Sequence, residues 1–302
     1  MSATVKRQTN HRVIRTDTEV AQAYHWCRQL AHSHYENFPV ASFLLPRWQR
    51  DPVTAIYAFA RSADDIADEG DASEKERLQQ LDDMELALQA IAQGAPPEQP
   101  MYIALADAIE RHALPVELFH DLLSAFRQDV TCKRYANFGE LMNYCRRSAN
   151  PVGRLLMYLN RQASKQNLAR SDAICSALQL INFWQDISQD YEENGRIYLP
   201  QDEMQRFAVN EDAIRERHNS FEMKELIRFQ IRRASDLLRA GSPLGLQLHG
   251  RFGLELRAII LGGARVLEKL HAQDDVFARP RLDRRERLGI LFSAIRQGFS
   301  RR

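Results

Sequence analysis

Oxygen-bearing side chains recur every fourth residue along the otherwise apolar stretch Gln179-Leu-Ile-Asn-Phe-Trp-Gln-Asp-Ile-Ser-Gln-Asp190. On an α-helix, Asn182, Asp186 and Asp190 stack on one face, with Gln179 one turn earlier and Leu180, Ile181 and Phe183 on the flanks. Carboxylates at this spacing repel by about a few tenths of a kcal/mol when exposed, and by much more when apolar neighbours exclude water. A hard divalent cation such as Mg²⁺, which takes oxygen ligands, reverses that sign. Alone, the stripe is equally well a solvated acidic face.

A second stripe lies upstream. Asp51-Pro52 predicts a helix start, with an N-cap carboxylate and proline at the first helical position. In the helix that follows, Tyr57, Arg61, Asp64 and Asp68 fall on one face. Asp-Asp-x-x-Asp is again compatible with a solvated helix end. Two such stripes, each on an apolar-rich helix, are harder to explain that way.

The rest of the chain is helical in period, with no convincing alternating strand and no internal repeat. The expected fold is all-α: one domain over residues 17–298, a flexible segment over 1–16 and a basic tail over 299–302. Helices are expected at about 17–34, 52–68, 74–93, 115–135, 219–240, 252–271 and 284–297, the last capped by Asp283. Residues 138–163 read as helical around Asn150-Pro-Val-Gly153, which is either a packing kink or a place where freed backbone groups line a cavity.

Composition narrows the function. A net charge of +1 excludes the broad basic footprint of a nucleic-acid binder. The four cysteines form no C-x-x-C pair, so a reducing cytoplasm is expected. No apolar run reaches the ~18 residues of a membrane span. Arginines at 279, 281, 284, 285, 287, 296, 301 and 302 surround an apolar stripe of Leu288, Leu291, Phe292 and Ile295 against only Asp283 and Glu286. That end either rests on the anionic inner face of a membrane or packs on the core with a solvated basic face.

If the two stripes face each other across a bundle, Asp64, Asp68, Asn182, Asp186 and Asp190 surround one polar cavity. Mg²⁺ suits such a site because it keeps part of its shell for substrate phosphates. Arg61 and Arg196 add positive charge that carboxylates do not need but a diphosphate does. The expected chemistry is metal-assisted departure of diphosphate. The carbocation left behind needs a dry pocket with π faces, for which Phe38, Tyr57, Tyr144, Phe183 and Tyr198 are candidates, though each taken singly reads more readily as a core residue. No P-loop and no Gly-x-Gly-x-x-Gly after a strand is present.

Three blocks carry a family resemblance: Tyr57-Ala-Phe-Ala-Arg-Ser-Ala-Asp-Asp-Ile-Ala-Asp68, Tyr144-x-x-x-Ser-Ala-Asn150-Pro-Val-Gly153, and Gln179-x-x-Asn-x-x-Gln-Asp-x-x-x-Asp190 with Arg196-x-Tyr-Leu-Pro200. In order and spacing they resemble the squalene and phytoene synthase family. The resemblance implies an isoprenoid-synthase helical bundle with a central cavity. It also implies Mg²⁺ held by Asp64, Asp68, Asn182, Asp186 and Asp190, diphosphate or metal-bound water engaged by Arg61 and Gln179, and Tyr144 in proton transfer. Asn150, Gly153 and Arg196 join the substrate-binding candidates, and Tyr198 the catalytic ones.

Many members place arginine directly before the aspartate of the second motif; here Gln185 stands there. With Glu36-Asn-Phe-Pro-Val-Ala-Ser42, this wording looks most like the bacterial hopanoid-pathway branch, whose members ionise presqualene diphosphate and quench the cation with water to give hydroxysqualene. Gln185 is the candidate for positioning that water. The alternatives are a full synthase condensing two farnesyl diphosphates, and a non-catalytic prenyl-diphosphate binder or scaffold. Expected partners are the diphosphate substrate, other squalene-pathway enzymes and an anionic membrane surface, and no nucleic acid.

Overall fold

The computed structural model describes residues 15–33 and 46–299; Phe38 lies outside them. Among the described residues the chain forms helices and no strand. The N-terminal part comprises α1 (Asp17–Ser33), α2 (Arg47–Asp68), α3 (Glu74–Ala92), α4 (Pro100–His112) and α5 (Glu117–Thr131). Next come α6 (Phe138–Ser148), α7 (Asn150–Leu159), α8 (Lys165–Gln185) and α9 (Ile187–Asn194). The short α10 (Gln201–Arg206) and α11 (Glu211–Arg215) lead to α12 (Phe221–Gly241), α13 (Pro243–Gln247), α14 (Gly250–Ala272) and α15 (Arg284–Phe299).

Local chemistry sets many of the boundaries. Ser73 and Glu76 close a capping box on α3, and Asn137, Ser164 and Ser220 cap α6, α8 and α12. Asp283 and Glu286 exchange the equivalent pair of bonds at α15. One expected start is wrong. α2 begins at Arg47, and Pro52 lies inside it. The extra turn buries Gln49 against Asn160 at the end of α7, a gain that offsets the single backbone bond Pro52 forgoes. Asp51 is not a cap; it pairs with Arg28 of α1. α4 is absent from the sequence expectation because Pro100, at its first turn, belongs to a proline-rich loop whose signals dominate.

The interruption at Asn150-Pro-Val-Gly153 is a packing feature. Pro151 opens α7, and a Cβ at Gly153 would meet Cys175 Sγ at 2.4 Å and Ser171 Oγ at 2.5 Å. Only glycine lets α7 approach α8 this closely. Asn150 is buried and accepts a hydrogen bond from Ser176 Oγ at 2.9 Å. Both residues are thus engaged by α8.

Two apolar cores result. One gathers α1 to α5 around Phe59, Leu81, Leu105 and Phe119; the other gathers α6, α8, α12 and α14 around Leu141, Trp184, Met223 and Leu226. α7 serves both, giving Leu155 and Leu159 to the first and Met157 to the second. α2 therefore belongs to one core and α8 to the other, and the two acidic stripes meet at the seam.

Candidate active site

Arg196 lies at the centre of the seam. α9 ends at Asn194, Gly195 with its φ of 61° turns the chain sharply, and Arg196 N–H then returns to the Asp190 carbonyl at 3.0 Å. The following segment runs beside the α5–α6 connection, with Ile197 N–H bonded to the Lys133 carbonyl at 3.0 Å. This backbone course buries the Arg196 side chain. Its guanidinium grips Asp68 with both terminal nitrogens, one at 2.9 Å, and reaches the Asp129 carbonyl at 3.0 Å.

The surrounding carboxyls carry the signature of crowding. Asp64 is pushed up to about 6 by burial and by Asp68. Asp190 is pushed up to about 7 by burial and by Asp186. Asp129 also reaches about 7 through burial. In all three, Arg196 pulls the other way, so one guanidinium serves both stripes.

Arg61 stays with its own helix, bonded to Asp64 at 3.1 Å, ion-paired to Asp65 at 2.6 Å and joined to Glu69. Tyr57, Arg61 and Asp64 line a cavity of about 220 Å³, closed otherwise by Val53, Ile56, Ala60, Phe126, Val152 and Leu156. It is an apolar chamber with a charged end. Tyr144, Phe183 and Tyr198 instead pack together with Tyr135: Phe183 and Tyr198 stack at 3.6 Å between ring centroids, and Tyr144 lies 6.1 Å from Tyr198. Burial holds the Tyr144 phenol well above its ordinary range, and the charge of Asp129 beside it pushes the same way.

The second stripe is not one helix. α8 ends at Gln185, Asp186 takes φ −110° and ψ 18°, and α9 starts at Ile187. Bonds from Asp186 N–H to Asn182 and from Asp190 N–H to Asp186 carry the four-residue spacing across the bend. Both residues at the bend are held by the connection before α15: Arg279 grips Asp186, one contact at 2.9 Å, and Gln185 Nε2 donates to the Pro280 carbonyl at 2.7 Å. Asn182 is exposed, and Gln179 Oε1 accepts from Ser148 Oγ at 2.8 Å.

Sequence reasoning missed Asp129 and Arg279. Asp129 is a single acid with no periodic partner. Arg279 sits in an arginine-rich segment that reads as a surface patch.

Among the described residues no three His, Cys, Asp or Glu side chains converge closely enough to hold a metal unaided. The donor chemistry nevertheless fits Mg²⁺ shared with a ligand's oxygens. Each stripe offers hard carboxylate oxygens one turn apart, burial makes their paired charge costly, and arginines supply the cationic charge. Asp186 Oδ1 faces Arg279 but makes no hydrogen bond.

This all-α arrangement is the isoprenoid-synthase fold. It is shared with the crystal structure of squalene synthase HpnC from Alicyclobacillus acidocaldarius, at a TM-score of 0.80 and 34% identity over 86% of this chain and 97% of that one. The squalene/phytoene synthase family model matches residues 31–286, and the chain belongs to that family. It is 37% identical over 262 residues to the hydroxysqualene synthase of Zymomonas mobilis, covering 86% of each chain. It is 34% identical over 248 residues to that of Rhodopseudomonas palustris, covering 82% of this chain and 83% of the relative.

Proposed function

We propose that the protein converts presqualene diphosphate to hydroxysqualene and diphosphate, with Mg²⁺ as cofactor. The observation that carries the reading is the convergence of both aspartate stripes on buried Arg196, which puts cationic charge and hard oxygens at one point. The names of the relatives support the product class.

In this reading Asp64, Asp68, Asn182, Asp186 and Asp190 hold Mg²⁺, which when bound neutralises the diphosphate and makes it a better leaving group. Arg61, Arg196 and Arg279 bind its oxygens, with Gln179 beside them. The carbon–oxygen bond breaks with both electrons going to the diphosphate. Tyr57, Tyr144, Phe183 and Tyr198 offer π faces to the rearranging cation, and apolar walls keep bulk water out until one water adds. That water forms the new carbon–oxygen bond and loses a proton. Tyr144 keeps its own proton at neutral pH, so it relays rather than accepts; Asp129 behind it, at about 7, is the acceptor. Gln185 donates one amide N–H to the Pro280 carbonyl, leaving its second N–H and its carbonyl oxygen to meet the water.

Incubation of the purified protein with presqualene diphosphate and Mg²⁺, without NADPH, tests this directly. Hydroxysqualene is the expected product. Squalene formed only with NADPH, or no turnover, contradicts it. The likeness to a structure named squalene synthase favours one second reading, condensation of two farnesyl diphosphates. Product made from farnesyl diphosphate by this protein alone would establish that reading instead.

A further inference from the structure

α15 is packed the wrong way round for a helix that only completes a core. Its inward side is small: Ala294 is fully buried, Ser293 and Ile290 are half-buried, and a Cβ at Gly298 would lie 2.8 Å from the Arg257 guanidinium. Buried Arg257 ties the helix down by donating to the Ala294 carbonyl at 2.9 Å. The large apolar side chains face outward. Phe292 is 71% and Leu288 56% exposed, with Leu291 and Ile295 beside them also exposed. An amphipathic helix on a water-soluble surface does the opposite.

The charges follow the same axis. At about 100° per residue, Leu288, Leu291, Phe292 and Ile295 make one stripe. Arg285 and Arg296 border it on one side and Arg287 on the other, with Arg284 at its N-terminal end; all four are exposed. The acids are engaged elsewhere. Glu286 points to the opposite side, bonded to Arg265 at 3.0 Å and Lys269 at 2.7 Å, and Asp283 caps the helix. The outward face is therefore apolar along its middle and cationic along both edges.

We propose that this face of α15 docks on an anionic lipid surface, with the apolar stripe entering the boundary between headgroups and acyl chains and the arginines binding lipid phosphates. Arginine stems can lie along the apolar layer while their heads stay among the headgroups. The charge pattern selects lipid over a second copy of the chain, because a two-fold pairing of this face would set like-charged edges against each other. Among the described residues no helix is long and apolar enough to cross a membrane, so the contact is peripheral. The inference stands whichever diphosphate is the substrate.

Co-sedimentation of the full chain with vesicles tests it. Binding is expected to phosphatidylglycerol/phosphatidylcholine vesicles and not to pure phosphatidylcholine, and it should weaken as salt shortens the range of the arginine charges. Phe292→Glu and Leu288→Glu, both at exposed positions, should weaken binding by about tenfold or more with unchanged circular dichroism and Tm. The double variant Arg284→Glu/Arg285→Glu should weaken it about tenfold. No binding to anionic vesicles, equal binding to both kinds, or wild-type binding by Phe292→Glu would overturn the proposal. Light scattering that shows a dimer dissociated by Phe292→Glu would also overturn it, assigning the face to a second copy.

Discussion

The two aspartate stripes have the same spacing but are built differently. The first lies on one uninterrupted helix of 22 residues, and its cations are Arg61 from the same helix and the buried Arg196. The second crosses a helix break at Asp186, and the cation there is Arg279, 41% exposed and supplied by the connection before α15. One half of the site is set by a single rigid element. The other half is assembled from tertiary contacts, so its geometry depends on how the 279–280 segment sits.

Charge neutralisation within the stripes should matter most. Asp64→Asn and Asp186→Asn are each expected to lower kcat by about 10³-fold or more, with the helical circular dichroism spectrum intact. A variant that spares activity in one stripe while the other abolishes it would break the pairing of the two halves.

The arginines should separate the halves. Arg196→Gln leaves Asp68 without its buried partner, so urea denaturation should show a loss of about 3 kcal/mol. Arg279→Gln removes a pair whose arginine is 41% exposed and should cost less, about 1 kcal/mol. It should still raise KM, since it loosens Asp186. Equal stability losses would mean that the second stripe is as rigidly held as the first.

Gly153→Ala probes the seam itself. The added methyl would overlap Ser171 and Cys175, and overpacking of this kind costs about 1–3 kcal/mol. A lower Tm with unchanged KM is expected. A raised KM with unchanged Tm would place Gly153 against substrate.

The helical class, most helix spans and the two stripes were legible because four-residue spacing and capping residues are local signals. The start of α2 was not, because the burial of Gln49 against α7 outweighs the local reading of Asp51-Pro52. At Asn150 and Gly153 packing and ligand roles stayed open for the same reason: a glycine required by a neighbouring helix looks, in sequence, like a glycine required by a ligand. Arg196 could be found by its place shortly after a stripe. Asp129 and Arg279 could not, since only the folded chain brings α5 and the 279–280 segment to the aspartates. The outward stripe of α15 was visible as a pattern, but whether it faced core or solvent needed the packing of Ala294 and Arg257.

The central claim is that both stripes form one site for Mg²⁺ and a diphosphate, and thermal unfolding with Mg²⁺ and inorganic diphosphate tests it most directly. Asp64 at about 6 and Asp190 at about 7 lie above the value of about 4 for an unfolded aspartate. The folded chain therefore holds extra protons between those values. In the ligand-free protein that stabilisation is full below about pH 4 and is lost as pH rises through 6 and 7. Mg²⁺ competes with the same protons, so its stabilising effect should grow over that window. The account predicts a rise in Tm that is larger at about pH 8 than at about pH 6, and that is absent in both Asp64→Asn and Asp186→Asn. A Tm unchanged by Mg²⁺ and diphosphate, or a rise that survives either substitution, would contradict it.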